Sequence, residues 1–366
     1  MQILWFTWKD IKHPFAGGAE AVDQKLAKKL VSEGHTLIML TGGYPGCKEK
    51  EELDGYTVIR VGNQFTVYFE AFRYYRKYLK EWADIIIEEI NTIPFLTQFY
   101  TKEPRVLLIY QLCRTIWFYQ LFFPLNLIGY LIEPIYLWLM RHNTVLTESE
   151  STKKDLQRYG FNKRKISVFP VSIDIAPISD IKKKKTFKNF TVLSLGSIRS
   201  MKRTLDQVKA FEIAKETIPE LKMKISGALV HTYGKKFKEY IKKSKYEKDI
   251  EYLGIVSKEE KVILMKQSHL ILVTSVKEGW GLIVTEAASQ GTPAVVYNVD
   301  GLRDSVVQNE TGIVTDINTP EAMGNSIIQL YKDKKKYNFL QINALEKSKA
   351  YSLQNSYQQF EQLLTR

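Results

Sequence analysis

The chain alternates short, nearly continuous apolar runs with longer segments whose apolar residues recur at helical spacing. It opens on ILWFTW, turns at glycines, and then repeats Ala21, Val22, Leu26, Leu30 and Val31 along AEAVDQKLAKKLVSEG. Gly34 is the expected stop for that helix. HTLIMLTG, YTVIRVG, ADIIIEE, PRVLLIY and NTVLTES are further β-rich runs, each followed by a helix-like segment, and KISVFPVSID closes this half. Strands apolar at nearly every position are buried on both faces, so the pattern predicts a parallel sheet covered by helices. SDIKKKKTFKNF interrupts the alternation with four successive lysines, Lys182 to Lys185, which cannot all face a core and mark a loop or linker. The alternation restarts at FTVLSLGS and runs through LKMKISG, IEYLG, LILVTS, PAVVYN and TGIVTD. The expected organisation is therefore two α/β domains, 1–178 and 179–345, each with its own parallel sheet. The tail 346–366 is expected to be helical, with a final helix near Leu353 to Leu364 packing back on the first domain. Ligands of open parallel sheets bind beyond the carboxyl ends of the strands. Motifs carrying chemistry should then lie in loops that follow strands.

Length agrees with this division: 366 residues exceed what one compact core usually holds. A net charge of +13 suits an anionic partner, whether a phosphorylated small molecule, an acidic membrane surface or nucleic acid, and suits equally a solvated lysine-rich surface. No nucleic-acid recognition motif accompanies it, so nucleic acid is not expected as a partner. Cys47 and Cys113 are the two cysteines; they lie far apart without metal spacing, which fits a reducing cytoplasm. MQILWFTWKD has no basic leader ahead of a long apolar run and reads as a strand. One stretch, Thr115 to Met140 (TIWFYQLFFPLNLIGYLIEPIYLWLM), is apolar enough to raise the question of a membrane span. Gln120, Asn126 and Glu133 interrupt it and Pro124 and Pro134 break it, so a buried helix pair is expected, with a surface dipping into lipid as the alternative.

The richest motif is EGWGLIVTEAASQGTPAVV, Glu278 to Val296, directly after the strand LILVTS. Gly279 and Gly281 predict a turn around Trp280. A helix should begin near Leu282 and end at Gln290, capped by Gly291 and stopped by Pro293. Backbone N–H groups at such a start, near Gly281, Leu282 and Ile283, suit a phosphate. Glu286, about one turn into the helix, can accept hydrogen bonds from vicinal hydroxyls, and Glu278 can hold hydroxyls of a sugar lying over the turn.

These residues resemble the E-x7-E signature of glycosyltransferase family 4, and the resemblance extends over most of the chain. It implies a GT-B fold, with two Rossmann-like domains whose parallel sheets face a central cleft. It also implies retaining transfer of a hexose-type sugar from a nucleotide-sugar donor without a metal; no Asp-x-Asp occurs, and no cofactor is expected. HPFAGGAE is similar to the family's glycine pair over the donor diphosphate, carried here by Gly17 and Gly18. GSIRSMKRTLDQVKAF resembles its phosphate-binding segment, with Gly196, Lys202, Ala210 and Phe211 in register. Ser197 stands at the family's usual arginine and Arg203 at its usual glycine, so Lys202 is the expected diphosphate cation and Arg199 or Arg203 supplies the second charge. In YLGIVSKEE, Ile255 and Val256 fall near the expected nucleotide base, while Glu310, Thr311 and Gly312 match a structural turn.

The resemblance makes Glu278, Lys202 and Arg199 the catalytic candidates. Its acceptor side departs from the family: a histidine usual there is replaced by Tyr110 or Gln111, and His13 and Arg114 join Tyr110 as acceptor-side candidates. The implied partners are a UDP- or GDP-sugar and a glycan or polyprenyl-linked lipid acceptor. The implied location is the cytoplasm, with peripheral contact at the inner face of an anionic membrane. The alternative keeps the fold without turnover, as a nucleotide-sugar-binding or scaffold subunit of a glycan assembly complex.

Overall fold

Apolar runs become strands and helical-period segments become helices in the computed structural model, which describes residues 1–364. The last two residues of the expected 346–366 tail lie outside the described residues. The chain divides into two compact units, one of residues 1–172 with the helix Leu353–Leu364 and one of residues 173–352.

The first unit holds β1 (Gln2–Phe6), β2 (Thr36–Gly42), β3 (Lys50–Leu53), β4 (Tyr56–Val61), β5 (Ile85–Glu89), β6 (Arg105–Leu108), β7 (Thr144–Thr147) and β8 (Ile166–Val168). They form one sheet in the order β3-β4-β2-β1-β5-β6-β7-β8. Every pairing is parallel except β3–β4. β3 is KEEL, with no apolar run to announce it; Asp54 and Gly55, at φ +49° and +92°, close its hairpin with β4. The helix Gly18–Ser32 buries Val22, Leu26, Ala27 and Leu30 and stops at Gly34, whose φ of +91° lets the chain reverse. The helix Leu353–Leu364 lays Phe360 against Trp5 and Phe169, with ring centroids 6.1 and 5.2 Å away. All three rings are fully buried, so this tail segment completes the core begun by β1.

The stretch expected as a buried helix pair is only half buried. A short helix, Trp117–Gln120, precedes the helix Leu125–Met140, and Gly129 presses so closely on Trp117 that an added Cβ would lie 2.5 Å from the indole. Glu133, Tyr136, Leu137 and Met140 face inward. The outward face, Leu125, Leu127, Ile128, Leu131, Ile132, Ile135, Trp138 and Leu139, is exposed and wholly apolar. The sixteen-residue helix thus buries its one charged side chain while most of its apolar side chains stay exposed. Among the described residues no helix is long and apolar enough to cross a membrane.

The second unit holds β9 (Thr191–Leu195), β10 (Lys222–Ser226), β11 (Ile250–Tyr252), β12 (Leu270–Val273), β13 (Ala294–Val296) and β14 (Gly312–Val314). All are parallel, in the order β11-β10-β9-β12-β13-β14. Val192, Leu193, Ile271, Leu272 and Val295 are fully buried, as doubly covered strands require. The lysine run is not uniformly solvated. Lys184 turns inward and donates to the carbonyls of Ser268 and Gln290, 2.9 and 3.3 Å away, and to the Thr292 hydroxyl. Burial pushes its ammonium down to about 7.

In both sheets the chain builds outward on one side and then returns to build on the other. The reversal falls between β1 and β5 in the first unit and between β9 and β12 in the second. At such a switch point the two outgoing loops diverge and leave a crevice at the carboxyl ends of the strands.

Candidate functional site

At the β9/β12 switch point, the loop after β9 carries Gly196 through Arg203 and the loop after β12 carries Thr274 through Gly281. Four hydrogen bonds sew them together. The Thr274 hydroxyl donates to the carbonyls of Lys202 and Arg203 at 2.8 and 3.0 Å, and Gln207 donates to Thr274 at 2.9 Å. The Val276 amide donates to the Met201 carbonyl at 2.9 Å. Lys202 and Glu278, seventy-six positions apart in the chain, are brought into an ion pair by this stitching. The Ser275 hydroxyl donates to the same Glu278 oxygen. Both charged side chains remain partly exposed, at 24% and 15%, so a ligand can reach them.

Behind Glu278 the loop rests on the segment after β13. The Glu278 amide donates to the Asp300 carbonyl at 3.2 Å and Lys277 pairs with the Asp300 carboxylate at 3.2 Å. Gly301, at φ +79°, passes so close that a Cβ there would lie 2.3 Å from the Glu278 carbonyl oxygen. Gly281 takes the left-handed conformation, φ +94°, and leads into the helix Leu282–Ser289. No side chain caps that start, so the first-turn amides, including Leu282 and Ile283, meet no capping oxygen. Trp280 donates its indole N–H to Thr285 at 2.8 Å and so folds over the first turn, beside the glycine at 279. Glu286 pairs with Lys261 at 2.5 Å. Lys261 sits on the helix Lys258–Gln267, whose start is set by a reciprocal capping box between Ser257 and Glu260.

The strand ends beside the crevice approach one another just as closely. Gly196, Gly227 and Gly254 follow β9, β10 and β11, all with positive φ, and a Cβ on Gly227 would lie 1.9 Å from the Gly196 carbonyl oxygen. Ile255, next to Gly254, is 79% exposed. Arg203 is itself left-handed, φ +49°, and pairs with Asp206 at 2.6 Å while lying over the Tyr297 ring. Arg199 has extended backbone at the start of the same turn. The structure therefore brings together Gly196, Arg199, Lys202, Arg203, Glu278 and the 279–283 turn, with Glu286 one turn further along.

The first unit gives each of its expected site residues a partner of its own. The Gly17 amide is not open to an external anion: it donates to the Glu20 carboxylate at 2.6 Å, and Lys9 pairs with Glu20 at 3.1 Å. Gly17 and Gly18 thus start their helix against an internal carboxylate. His13 does not face outward; it is buried beside Trp8, Phe15 and Tyr44 and accepts from the Phe15 amide at 3.1 Å. Burial, helped by Lys9, holds its pKa below the usual histidine value. Tyr110 is buried and donates to Asp23 at 2.5 Å. Arg114 packs over Tyr130 and pairs with Glu133 at 3.6 Å. His13 and Tyr110 are buried and Arg114 is partly buried, and each of the three has a partner within the first unit.

Sequence reasoning missed a set of buried acids at the carboxyl ends of the first sheet: Glu20, Asp23, Glu89 and Glu148. Burial pushes Glu148 up to about 8 and Glu89 up to about 7, the latter helped by Glu20. Asp23 is raised by burial and then by Glu89. Only the glutamates ending ADIIIEE could have signalled this, as acids at the end of an otherwise apolar strand. Lys261 and the glycines at 227, 254 and 301 were also missed; their roles depend on what lies across from them, which no local pattern records.

A parallel α/β sheet with a cation–carboxylate pair at its switch point and a glycine-lined helix start beside it fits the class of α/β proteins whose ligand site lies beyond the carboxyl ends of the strands. The comparisons make the class specific. The family description "Glycosyl transferases group 1" matches residues 177–347, and "Glycosyltransferase Family 4" matches residues 16–176. The chain belongs to glycosyltransferase family 4. It is similar to the poly(glycerol-phosphate) alpha-glucosyltransferase of Bacillus subtilis, 29% identical over 169 residues, a match covering 46% of this chain and 24% of that protein. The chain spans less than half the length of the curated relatives it first matches. Among solved structures it shares its fold with the sucrose-phosphate synthase of Thermosynechococcus elongatus, at TM-score 0.80 and 17% identity, covering 99% and 98% of the two chains. Anabaena HepE, solved with UDP and glucose, matches at TM-score 0.75 and 18% identity over 100% and 99%. The fold is GT-B.

Proposed function

We propose that this protein is a retaining glycosyltransferase that moves a hexose-type sugar from a nucleotide-sugar donor to a glycan or lipid-linked acceptor. The observation that carries the reading is the Lys202–Glu278 pair at the β9/β12 switch point, flanked by the uncapped start of the helix Leu282–Ser289. Lys202 neutralises the donor diphosphate and the charge that develops on it as the sugar leaves. The amides at Gly281, Leu282 and Ile283 take phosphate oxygens, Glu278 holds the sugar hydroxyls, and Glu286 holds the ribose. Arg203, on the same turn as Lys202 and 36% exposed, is read as the second charge ahead of Arg199. Ile255 lies against the base.

A side chain placed to attack the sugar is not part of this reading; positioning and diphosphate stabilisation carry the rate. Lysine and arginine do the work a divalent cation does at other diphosphate sites, and the reaction is read as metal-independent. The complex of HepE with UDP and glucose supports a uridine nucleotide as the first donor to try. We place the reaction in the cytoplasm, at the membrane face, where a lipid-linked acceptor is met.

Calorimetry with UDP and a panel of UDP- and GDP-sugars tests the donor half. Lys202→Ala is expected to weaken nucleotide binding about tenfold or more, as loss of a charge-assisted contact implies; unchanged affinity would remove Lys202 from the site. Anomer-resolved NMR of the product tests retention, and inversion would refute it. Donor binding without transfer to any glycan or lipid acceptor would favour a binding or scaffold subunit instead.

A further inference from the structure

We propose that the outward face of the helix Leu125–Met140, with the Phe122–Phe123 turn before it, seats this protein on an anionic lipid bilayer. The inference extends the membrane-face location in the proposed function by assigning the surface and the lipid chemistry. The face is not a scatter of single apolar residues. Phe122 and Phe123 are 72% and 74% exposed, Leu131 and Ile135 are each 58% exposed, and Trp138 is 56% exposed. Leu125, Ile128, Ile132, Ile135 and Leu139 follow one another at helical spacing, and no charge lies on that side. Contiguous apolar surface of this extent on a soluble domain marks an interaction site. Sixteen residues span about 24 Å, long enough to lie along a bilayer surface and too short to cross it.

The surroundings select lipid as the occupant. At the end of the helix Arg141 lies over the Trp138 ring at 4.0 Å, an aromatic–cation pair of the kind that anchors at the headgroup level. Lys165 donates to the His142 carbonyl at 2.7 Å, which ties the exposed basic turn Lys163–Lys165 to that same end. A second strip adjoins the face. Gln98 donates to the Leu139 carbonyl at 3.3 Å, and Tyr100, two residues on, meets Phe72 edge-on at 5.0 Å. Phe72 belongs to the helix Val67–Tyr74, which continues through a π turn, Tyr75–Leu79. There Arg73, Arg76 and Lys77 lie over Phe69, Phe72 and Tyr78, with Phe69 and Tyr78 61% and 58% exposed. Residues 65–80 carry four bases, Arg73, Arg76, Lys77 and Lys80, against one acid, Glu70, a balance of +3. An apolar stripe bordered by aromatic rings, each with a cation held over it, matches acyl chains below and anionic headgroups around them. A second copy of the chain would set these like charges against one another.

Vesicle flotation of the full chain tests this, without any sugar donor. The protein should float with phosphatidylcholine vesicles containing phosphatidylglycerol, float less with phosphatidylcholine alone, and be released as salt rises. The double variant Leu131→Glu/Ile135→Glu should cut flotation by about tenfold or more, since charge at the apolar face opposes insertion. Lys163→Glu/Arg164→Glu should lose only the preference for anionic vesicles. Trp138 should be quenched by brominated acyl chains, and Trp138→Phe should remove that part of the quenching. The melting transition of the first unit verifies that each variant folds, and Phe122→Ser/Phe123→Ser replaces any that does not. Absence of flotation with both vesicle types would overturn the proposal. So would a stable dimer in solution that Leu131→Glu/Ile135→Glu dissociates, because a second copy would then own the face. Flotation with no glycosyl transfer would refute the proposed activity and leave the docking face standing.

Discussion

Lys202 has one ammonium and two suitors for it, the Glu278 carboxylate that it pairs with in the structure and the diphosphate it is proposed to bind. Under that proposal donor binding would be an exchange, with phosphate taking the lysine and Glu278 turning to the sugar. This predicts that Glu278→Gln leaves affinity for UDP unchanged or tighter, while the added affinity of the UDP-sugar over UDP disappears; titration of both ligands reads the difference. Gly301 sets where Glu278 can stand, since a Cβ there would lie 2.3 Å from its carbonyl oxygen at a φ of +79°. Gly301→Ala should cost about 1–3 kcal/mol of stability and weaken sugar binding with it, because both steric and conformational strain fall on one loop; denaturant melts and the same titration check it. The close approach of Gly227 to the Gly196 carbonyl makes a similar demand. These glycines occupy unremarkable places in the sequence, and only their across-loop neighbours make them indispensable.

At the scale of elements, the helix Leu125–Met140 depends on its one buried acid. Glu133 accepts from the Cys113 and Arg114 amides at 2.7 and 2.6 Å and from the Trp117 indole at 3.0 Å, and so holds the preceding turn against the helix. Burial raises its pKa and these donors pull it back. Glu133→Ala leaves three donors without their acceptor and should cost about 1–3 kcal/mol or more; Glu133→Gln, which keeps an acceptor oxygen, should cost less. Urea unfolding distinguishes them. The same helix explains why a reading of the apolar pattern misjudged its surroundings. Its hydropathy announced burial, yet the inner face was chosen by Gly129 and Glu133, which fit against Trp117 and the 113–114 turn. β3 escaped for the opposite reason: KEEL has no apolar signal, and its pairing is carried by backbone bonds and the Asp54–Gly55 turn.

At the scale of the whole molecule, each compact unit has its own core. The helix Leu353–Leu364 belongs to the first unit although its sequence follows the second. Truncation before Leu353 strips Phe360 from Trp5 and Phe169 and should lower the melting of the first unit, while nucleotide binding by the second survives; calorimetry with and without UDP separates the two. The buried acids give the first unit a pH dependence of definite sign. Glu148 is held up at about 8 and Glu89 at about 7, both above the ordinary carboxyl value of 4.5. A raised carboxyl favours the folded state below its unfolded pKa, and that contribution fades as pH rises through the folded value. The melting temperature of the first unit should therefore fall between about pH 5 and pH 8.5, and Glu148→Gln should flatten the slope.

The sequence by itself determined the alternating α/β order, the two parallel sheets and the strand-to-helix motif from Glu278 to Val296. Those depend on local periodicity, on glycine and proline punctuation and on burial of both strand faces, all written in neighbouring residues. Only the tertiary structure decided which side chains meet: Lys202 with Glu278, Glu286 with Lys261, Gly17 with Glu20, and His13 and Tyr110 turned inward rather than out. It also decided which face of the Leu125–Met140 helix stays uncovered. Pairings of this kind follow from strand order and loop approach, which join residues tens of positions apart. No periodicity along the chain encodes a distance across it.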